Sequence, residues 1–335
     1  MLRKVLPWIM GITTFLAVAV FVAFQVSPWP SVVIYRYVFS KGGAAMNHAL
    51  AKHVPPGITG TLGEHYDPDD HGTTFDIFHP AATGNDTRTL PTIIWVHGGG
   101  FVAGTKDEIA NYLRILASKG YAVIGVNYAL APGNTYPTPV RQVNAALSFI
   151  VENAQRLRVD AGKLFLAGDS AGAQIAAQLI IAIVAPAYAV QIGIAPAIRR
   201  QQLLGAILHC GFHDPEALDV SGRGLAGGFV RNVGWAYFGR KDFLDDPRVQ
   251  QFSIVRNITS DFPPMFISAG NADPLEPQSR RLAEAASKLG IPVDSLFFAR
   301  NYTPPLPHEY QFNLDTEAGR LALERKLAFL RARAN

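Results

Sequence analysis

Cysteine is nearly missing: Cys210 is the one cysteine in 335 residues, which excludes an intramolecular disulfide and a zinc site built from cysteines. Charge is scarce as well. Asp, Glu, Lys and Arg make up 17% of the chain against 49% hydrophobic residues. That balance excludes intrinsic disorder and leaves part of the chain facing something other than water. The net charge of +4 is spread thinly. Apart from a mildly basic last helix there is no basic stripe interleaved with aromatics, so nucleic acid is not expected as a partner. Neither an internal repeat nor a low-complexity tract occurs. The length suits one large α/β domain or two small ones.

The longest gap in charge lies near the start. Met1-Leu2-Arg3-Lys4 carries two positive residues, and no charged residue then occurs from Val5 to Gln25. At ~1.5 Å per residue, a helix over that stretch covers the ~30 Å hydrocarbon core of a bilayer. Trp8 and Trp29 bracket it, as amphipathic aromatics do at the two interfaces, and Pro28 and Pro30 are expected to stop the helix. Residues 1–30 are read as an N-terminal membrane anchor, with Arg3 and Lys4 held in the cytoplasm and the rest of the chain on the non-cytoplasmic side. A cleaved signal peptide competes with this and would leave a secreted or periplasmic protein, but no persuasive small-x-small site precedes Pro28. A buried core helix is a third reading.

Residues 31–61 read as a linker or cap element, with an apolar stretch Val32-Val33-Ile34-Tyr35 and a short helix expected from Ala44 to Lys52. Beyond it, short apolar runs alternate with helix-length periodic segments. Strands are expected at Thr73–Phe78, Thr92–Val96, Ala122–Asn127, Lys163–Ala167, Leu203–His209, Met265–Ala269 and Val293–Phe298. Helices are expected at Lys106–Ser118, Pro139–Asn153, Ala171–Val184, Pro277–Leu289 and Asp315–Arg331. This alternation implies βαβ units and a mainly parallel sheet covered on both faces. In the last helix Leu323, Leu327 and Leu330 form one stripe, with Arg and Lys elsewhere. Between Cys210 and Pro263 the rhythm fails, and a stretch rich in Gly, Phe and Trp reads as an inserted cap, about 212–262.

Gly168-Asp169-Ser170-Ala171-Gly172 is a G-x-S-x-G pentapeptide between an apolar strand and an apolar helix. Such a strand–turn–helix junction projects the serine from the sheet edge at a helix N-terminus. An ordinary turn with a capping serine has the same letters. His97-Gly98-Gly99-Gly100 ends an earlier strand, and its free backbone N–H groups, with that of Ala171, suit the oxyanion of a tetrahedral intermediate. Gly98-x-Gly100-x-x-Ala103 also fits the loose dinucleotide fingerprint, yet Asn127-Tyr128 stands where that motif needs an acid. A serine nucleophile needs a base and an orienting carboxylate, here in the order Ser, Asp, His. Asp273 follows the strand Met265–Ala269, and His308 follows the last strand. His97 belongs to the glycine loop, His209 lies inside a strand, and His213 comes before the acid.

These motifs resemble the α/β-hydrolase superfamily, specifically its hormone-sensitive-lipase-like carboxylesterase branch. The likeness runs from about Pro91 to the C-terminus, through His97-Gly-Gly-Gly-Phe101, Asn127-Tyr-Ala-Leu-Ala-Pro132, Gly168-Asp-Ser-Ala-Gly172 and Asp273-Pro-Leu275. It implies an α/β-hydrolase fold over residues 62–335, with a mainly parallel central sheet flanked by helices and carrying a cap, preceded by the N-terminal transmembrane helix. It implies Ser170 as nucleophile, His308 as base and Asp273 as orienting acid. Gly99, Gly100 and Ala171 become the oxyanion donors, with Gly98 as an alternative. The expected activity is hydrolysis of short- to medium-chain acyl esters, with no cofactor and no metal. The expected partners are a small-molecule ester and, through the N-terminal helix, a membrane. Aromatics of the insertion (Phe212, Phe229, Trp235, Tyr237, Phe238) suit an apolar entrance. Three positions depart from the family: Gly133 replaces a Glu, Arg141-Gln142 stand where an Asp is usual, and Glu309-Tyr310 replace Gly and Phe after the histidine. A ligand-binding protein on a hydrolase scaffold, an amidase and a polysaccharide deacetylase are the alternatives, because pocket shape and leaving-group contacts choose the bond.

Overall fold

The apolar runs become the strands of one sheet, and the periodic segments become helices on its two faces. The computed structural model describes residues 2–68, 70, 72–81, 87–217 and 225–334; the side chains of 2–7, including the expected cytoplasmic Arg3 and Lys4, lie outside that description, as do residues 218–224 of the expected cap insertion. Helices α1 (Leu2–Val26) and α2 (Trp29–Leu50) come first, followed by strands β1 (Ile58–His65), β2 (Thr74–Pro80) and β3 (Leu90–Val96). Then come α3 (Ala110–Ala117), β4 (Ala122–Val126), α4 (Thr138–Glu152), β5 (Val159–Asp169), α5 (Ser170–Val184), α6 (Pro186–Gln191) and β6 (Leu203–His209). The insertion holds α7 (Leu225–Phe238), α8 (Arg248–Phe252) and α9 (Ile254–Asn257); β7 (Met265–Ala269), α10 (Glu276–Lys288), β8 (Val293–Phe297) and α11 (Glu317–Ala334) complete the chain.

The described strands form one eight-stranded sheet in the order β1-β2-β4-β3-β5-β6-β7-β8. β1 and β2 join antiparallel at one edge, and β4 through β8 with β3 run parallel. The parallel strands are covered on both faces, which is why Ala122-Val-Ile-Gly-Val126 is buried throughout and lacks alternation. The loops that leave β3, β5, β7 and β8 all emerge at the carboxyl edge, where α/β sheets bind ligands.

Two expectations for residues 27–61 are corrected. The prolines do not end helical structure: only Ser27 and Pro28 interrupt it, and α2 begins at Trp29 with Pro30 in its first turn, where a missing N–H costs nothing. The short helix expected at Ala44–Lys52 is the end of this longer one. Strand β1 was not expected either; with residues such as Thr59, Gly60, Thr61 and Glu64, it is an edge strand with most of its side chains exposed and no apolar run to announce it. Lys326, which lies off the leucine stripe of the last helix, is fully buried.

Candidate active site

Ser170 is the first residue of α5 and follows directly on β5, so the chain must turn from strand to helix within one residue. It does so with φ +51 at Ser170, in the left-handed region that few non-glycine residues occupy. Gly172 makes the turn fit, since a Cβ there would lie 2.0 Å from the Val96 carbonyl oxygen of β3. The serine is thereby fixed at the helix N-terminus, beside amides with no intrahelical partner.

β3 delivers the glycine loop to the same place. Gly99 has φ +107, and a side chain on it would meet the Ala103 carbonyl at 2.1 Å. His97 braces the loop: its ring stacks on Tyr128 with centroids 4.4 Å apart, and Nδ1 lies 2.7 Å from the Gly98 carbonyl oxygen. Burial pushes its pKa down to about 4, so it is neutral at neutral pH and donates its Nδ1 proton to that oxygen. Gly98 lies against the Asp169 carboxylate, where a Cβ would come within 2.4 Å of Oδ2, and Gly98, Gly99 and Gly100 all line a cavity together with Ser170.

Asp273 and His308, 35 residues apart, meet across the loops after β7 and β8, with His308 Nδ1 3.0 Å from each oxygen of the Asp273 carboxylate. Asp273 also accepts the Leu275 amide at 2.8 Å. Asn271, which sequence reasoning passed over, ties the two loops together. Its Oδ1 accepts the Leu306 amide at 2.9 Å, and its Nδ2 donates to the Tyr302 carbonyl at 3.0 Å. Burial opposes a charge on His308, but the Asp273 carboxylate bonded to Nδ1 and Glu309 beside Nε2 favour it, and the ring's pKa is raised above its ordinary range. Cys210, Asp273 and His308 offer ligand atoms within 4.8 Å of one another. Burial pushes the Cys210 thiol up to about 11, and Nδ1 is already committed to the carboxylate, so the trio is a hydrogen-bonded group and a poor metal centre.

Two further acids border the serine. Asp169 is buried, accepts Trp95 Nε1 at 2.7 Å, and is driven well above the usual carboxylate range by burial and by Glu309. Glu309 takes φ +60, and its Oε1 lies 3.8 Å from His308 Nε2. A backbone of this kind favours glycine; here the side chain turns a carboxylate toward the site. Glu108 is pushed up to about 7 by burial and by the same Glu309. Of the other departures, Gln142 has a local role. Gln142 is buried and holds the 127–133 loop by accepting the Ala129 amide at 2.8 Å and donating to Asp70 at 2.8 Å. His209 sits under the site against Ser268 Oγ at 2.7 Å, and His213 is buried and pushed down to about 3, so neither faces the serine's cavity.

Two cavities meet at Ser170. The larger, about 540 Å³, is lined by Val38, Phe39 and Gly43 of α2, by Gly98–Gly100 and Glu108, and by His308 and Glu309. The smaller, about 70 Å³, is lined by Val233, Gly234 and Tyr237 of α7 with Phe243 and Phe252. Phe229 borders both and packs edge-on against Tyr35 of α2 at 5.0 Å, so α2 and α7 together roof the serine. Arg36 locks the roof down, donating to the Val102 carbonyl at 2.8 Å and the Ala131 carbonyl at 3.1 Å.

A family model described as the alpha/beta hydrolase fold matches residues 93–302. Esterase LipI of Mycobacterium tuberculosis is 30% identical over 213 residues, covering 62% of this chain and 63% of that protein. The acetyl esterase of Salmonella paratyphi B is 32% identical over 203 residues, covering 57% and 58%. The chain thus spans less than two thirds of the length of these relatives. Among solved structures, Esterase B from Lactobacillus rhamnosis superposes with a TM-score of 0.73 at 22% identity, over 90% of this chain and 96% of that one. The hyperthermophilic esterase of Pyrobaculum calidifontis gives 0.72 at 22%, over 93% and 95%.

Proposed function

The chain belongs to the α/β-hydrolase family, and from that premise we propose that it is a serine carboxylesterase acting on short-chain acyl esters. The observation that carries the proposal is the pairing of His308 with both oxygens of Asp273 at 3.0 Å, on the rim of the cavity that Ser170 lines. In this reading Ser170 Oγ attacks the ester carbonyl carbon while His308 Nε2 takes its proton. The carbonyl π electrons move to oxygen, and the amides of Gly99, Gly100 and Ala171 hold that oxyanion. Collapse of the intermediate breaks the bond to the alcohol oxygen, which receives the proton from His308. Water then attacks the acyl-serine, giving its proton to His308, and the acid leaves as Ser170 recovers that proton. Asp273 fixes the tautomer by accepting from Nδ1 throughout.

The substrate class follows from the two cavities. About 70 Å³ behind Ser170 suits an acyl group of a few carbons, and the larger cavity suits the alcohol. The matched relatives bear esterase names, which supports the bond type. For localisation, Trp8–Val26 of α1 is long and apolar enough to cross a membrane, and none of its residues is buried in the protein. This supports α1 as an anchor that holds the catalytic domain on the non-cytoplasmic side.

The test is a Ser170→Ala variant assayed on p-nitrophenyl butyrate. Loss of about 10⁴-fold or more in kcat is expected, because triad members act as a unit. A variant that keeps the original rate overturns the assignment.

A further inference from the structure

Helix α2 has two apolar faces, where a helix on a water-facing surface has one. The inner face packs through Tyr35 and Phe39 on Phe229 of α7. On the opposite face Trp29, Val33, Ile34, Tyr37 and Val38 are between 45% and 66% exposed. Their spacing of i, i+4, i+5, i+8 and i+9 makes them one stripe. It starts where α1 ends and stops after three turns, since the same face then carries Lys41, Ala44, Ala45 and His48. Cations stand over two of its aromatics and one of the neighbouring α7: Arg36 lies 5.3 Å over Trp29, Lys41 lies 5.5 Å over Tyr37, and Lys241 lies 5.4 Å over Trp235. Lys241 also donates to the Gln25 carbonyl of α1 at 3.2 Å, so the roof is tied to the last turn of the apolar helix.

We infer that the outer face of α2 rests on an anionic phospholipid bilayer, and that the larger cavity receives its substrate from that bilayer. Amphipathic aromatics with flanking Lys and Arg sit at the headgroup level of membranes, and anionic lipid attracts the cations. An apolar stripe limited to the turns nearest α1 is what a helix leaving a membrane along its surface requires. Val38 belongs both to the stripe and to the cavity lining, so the membrane face and the mouth of the cavity share an edge. The substrates reached this way are esters with a short acyl group and a long apolar alcohol, which dissolve in lipid and enter alcohol-first along α2. This inference rests on the esterase and anchor readings above.

The experiment uses the full chain in vesicles of phosphatidylcholine with a minor fraction of phosphatidylglycerol. Two acetates are compared, water-soluble p-nitrophenyl acetate and the acetate of a long-chain alcohol dissolved in the vesicles. The double variant Ile34→Glu/Tyr37→Glu, whose side chains lie outside both cavity linings, is expected to retain hydrolysis of the soluble ester. Its kcat/KM on the membrane-dissolved ester is expected to fall by about tenfold or more. In parallel, a fluorophore on Val33→Cys is expected to be quenched by nitroxide-labelled lipid, with Phe15→Cys on α1 as the reference. No hydrolysis of the soluble ester by the unsubstituted chain defeats the esterase reading, and an unquenched Phe15 label defeats the anchor; either takes the inference with it. If both hold while the Val33 label is unquenched and the double variant treats the two esters alike, the inference alone is overturned.

Discussion

Glu309 illustrates how one residue resets a site. It occupies a left-handed position, φ +60, next to His308, and brings a carboxylate within 3.8 Å of Nε2, the nitrogen that takes up the serine proton in the proposed mechanism. A negative neighbour favours the protonated imidazole, and a protonated imidazole is no base. With the His308 pKa held above its ordinary range, activity rises with pH through and beyond neutrality. Glu309→Gln removes one source of that shift, so the acidic limb of kcat/KM moves to lower pH while the alkaline plateau stays within about threefold; an unmoved limb removes Glu309 from the account. Lys326 makes the second prediction at this scale. It is buried over the rings of Trp95 and Tyr112 at 4.9 and 4.2 Å, and burial lowers its pKa well below 10.5. In the window between that lowered value and 10.5 the unfolded chain binds a proton that the folded chain does not, so stability rises with pH. Denaturation of Lys326→Met between neutral pH and pH 10 is expected to lack up to about 1.4 kcal/mol per pH unit of that rise; equal slopes contradict it. Neither residue's role was legible in the sequence. The letters after His308 marked a departure but not a backbone angle, and a lysine on a Leu-striped helix gives no sign that its own face is buried. The turn at Ser170 and the loop glycines Gly99 and Gly100 were legible because their backbone demands leave letters in the chain.

At the scale of elements, α5 and the parallel strands could be read because burial on all sides leaves unbroken apolar runs such as Leu179-Ile-Ile-Ala-Ile183. Helix α2 could not. Its prolines read as terminators, and only the fold shows that they sit where a helix starts. β1 lacked any apolar signal because it is an exposed edge. Helix α7 carries the prediction that belongs here. Val233 lines the small cavity, and Val233→Ala opens it by two methyl groups at a stability cost of about 1–2 kcal/mol. The preference for hexanoate over acetate p-nitrophenyl esters is expected to rise by about tenfold, the value of one or two methylenes in an apolar pocket. An unchanged ratio means that the acyl group does not lie against α7.

Across the whole molecule, the sheet order puts β3 and β5 side by side near its centre, so the glycine loop and the serine turn leave adjacent strands; Asp273 and His308 come from β7 and β8 at the edge and reach inward on loops pinned by Asn271. The order of motifs along the chain announced this convergence, while the distances needed the fold. The roof is a joint product of α2, which continues from the apolar α1, and α7, so in the proposed reading membrane attachment and access to the serine belong to one assembly. The central claim is that Ser170 is the nucleophile of this assembly. Its most direct test is to treat the folded full-length protein with a fluorophosphonate and map the adduct by mass spectrometry. The account predicts a single adduct, on Ser170, that is lost in Ser170→Ala. Labelling at another residue, or none on folded protein, contradicts it.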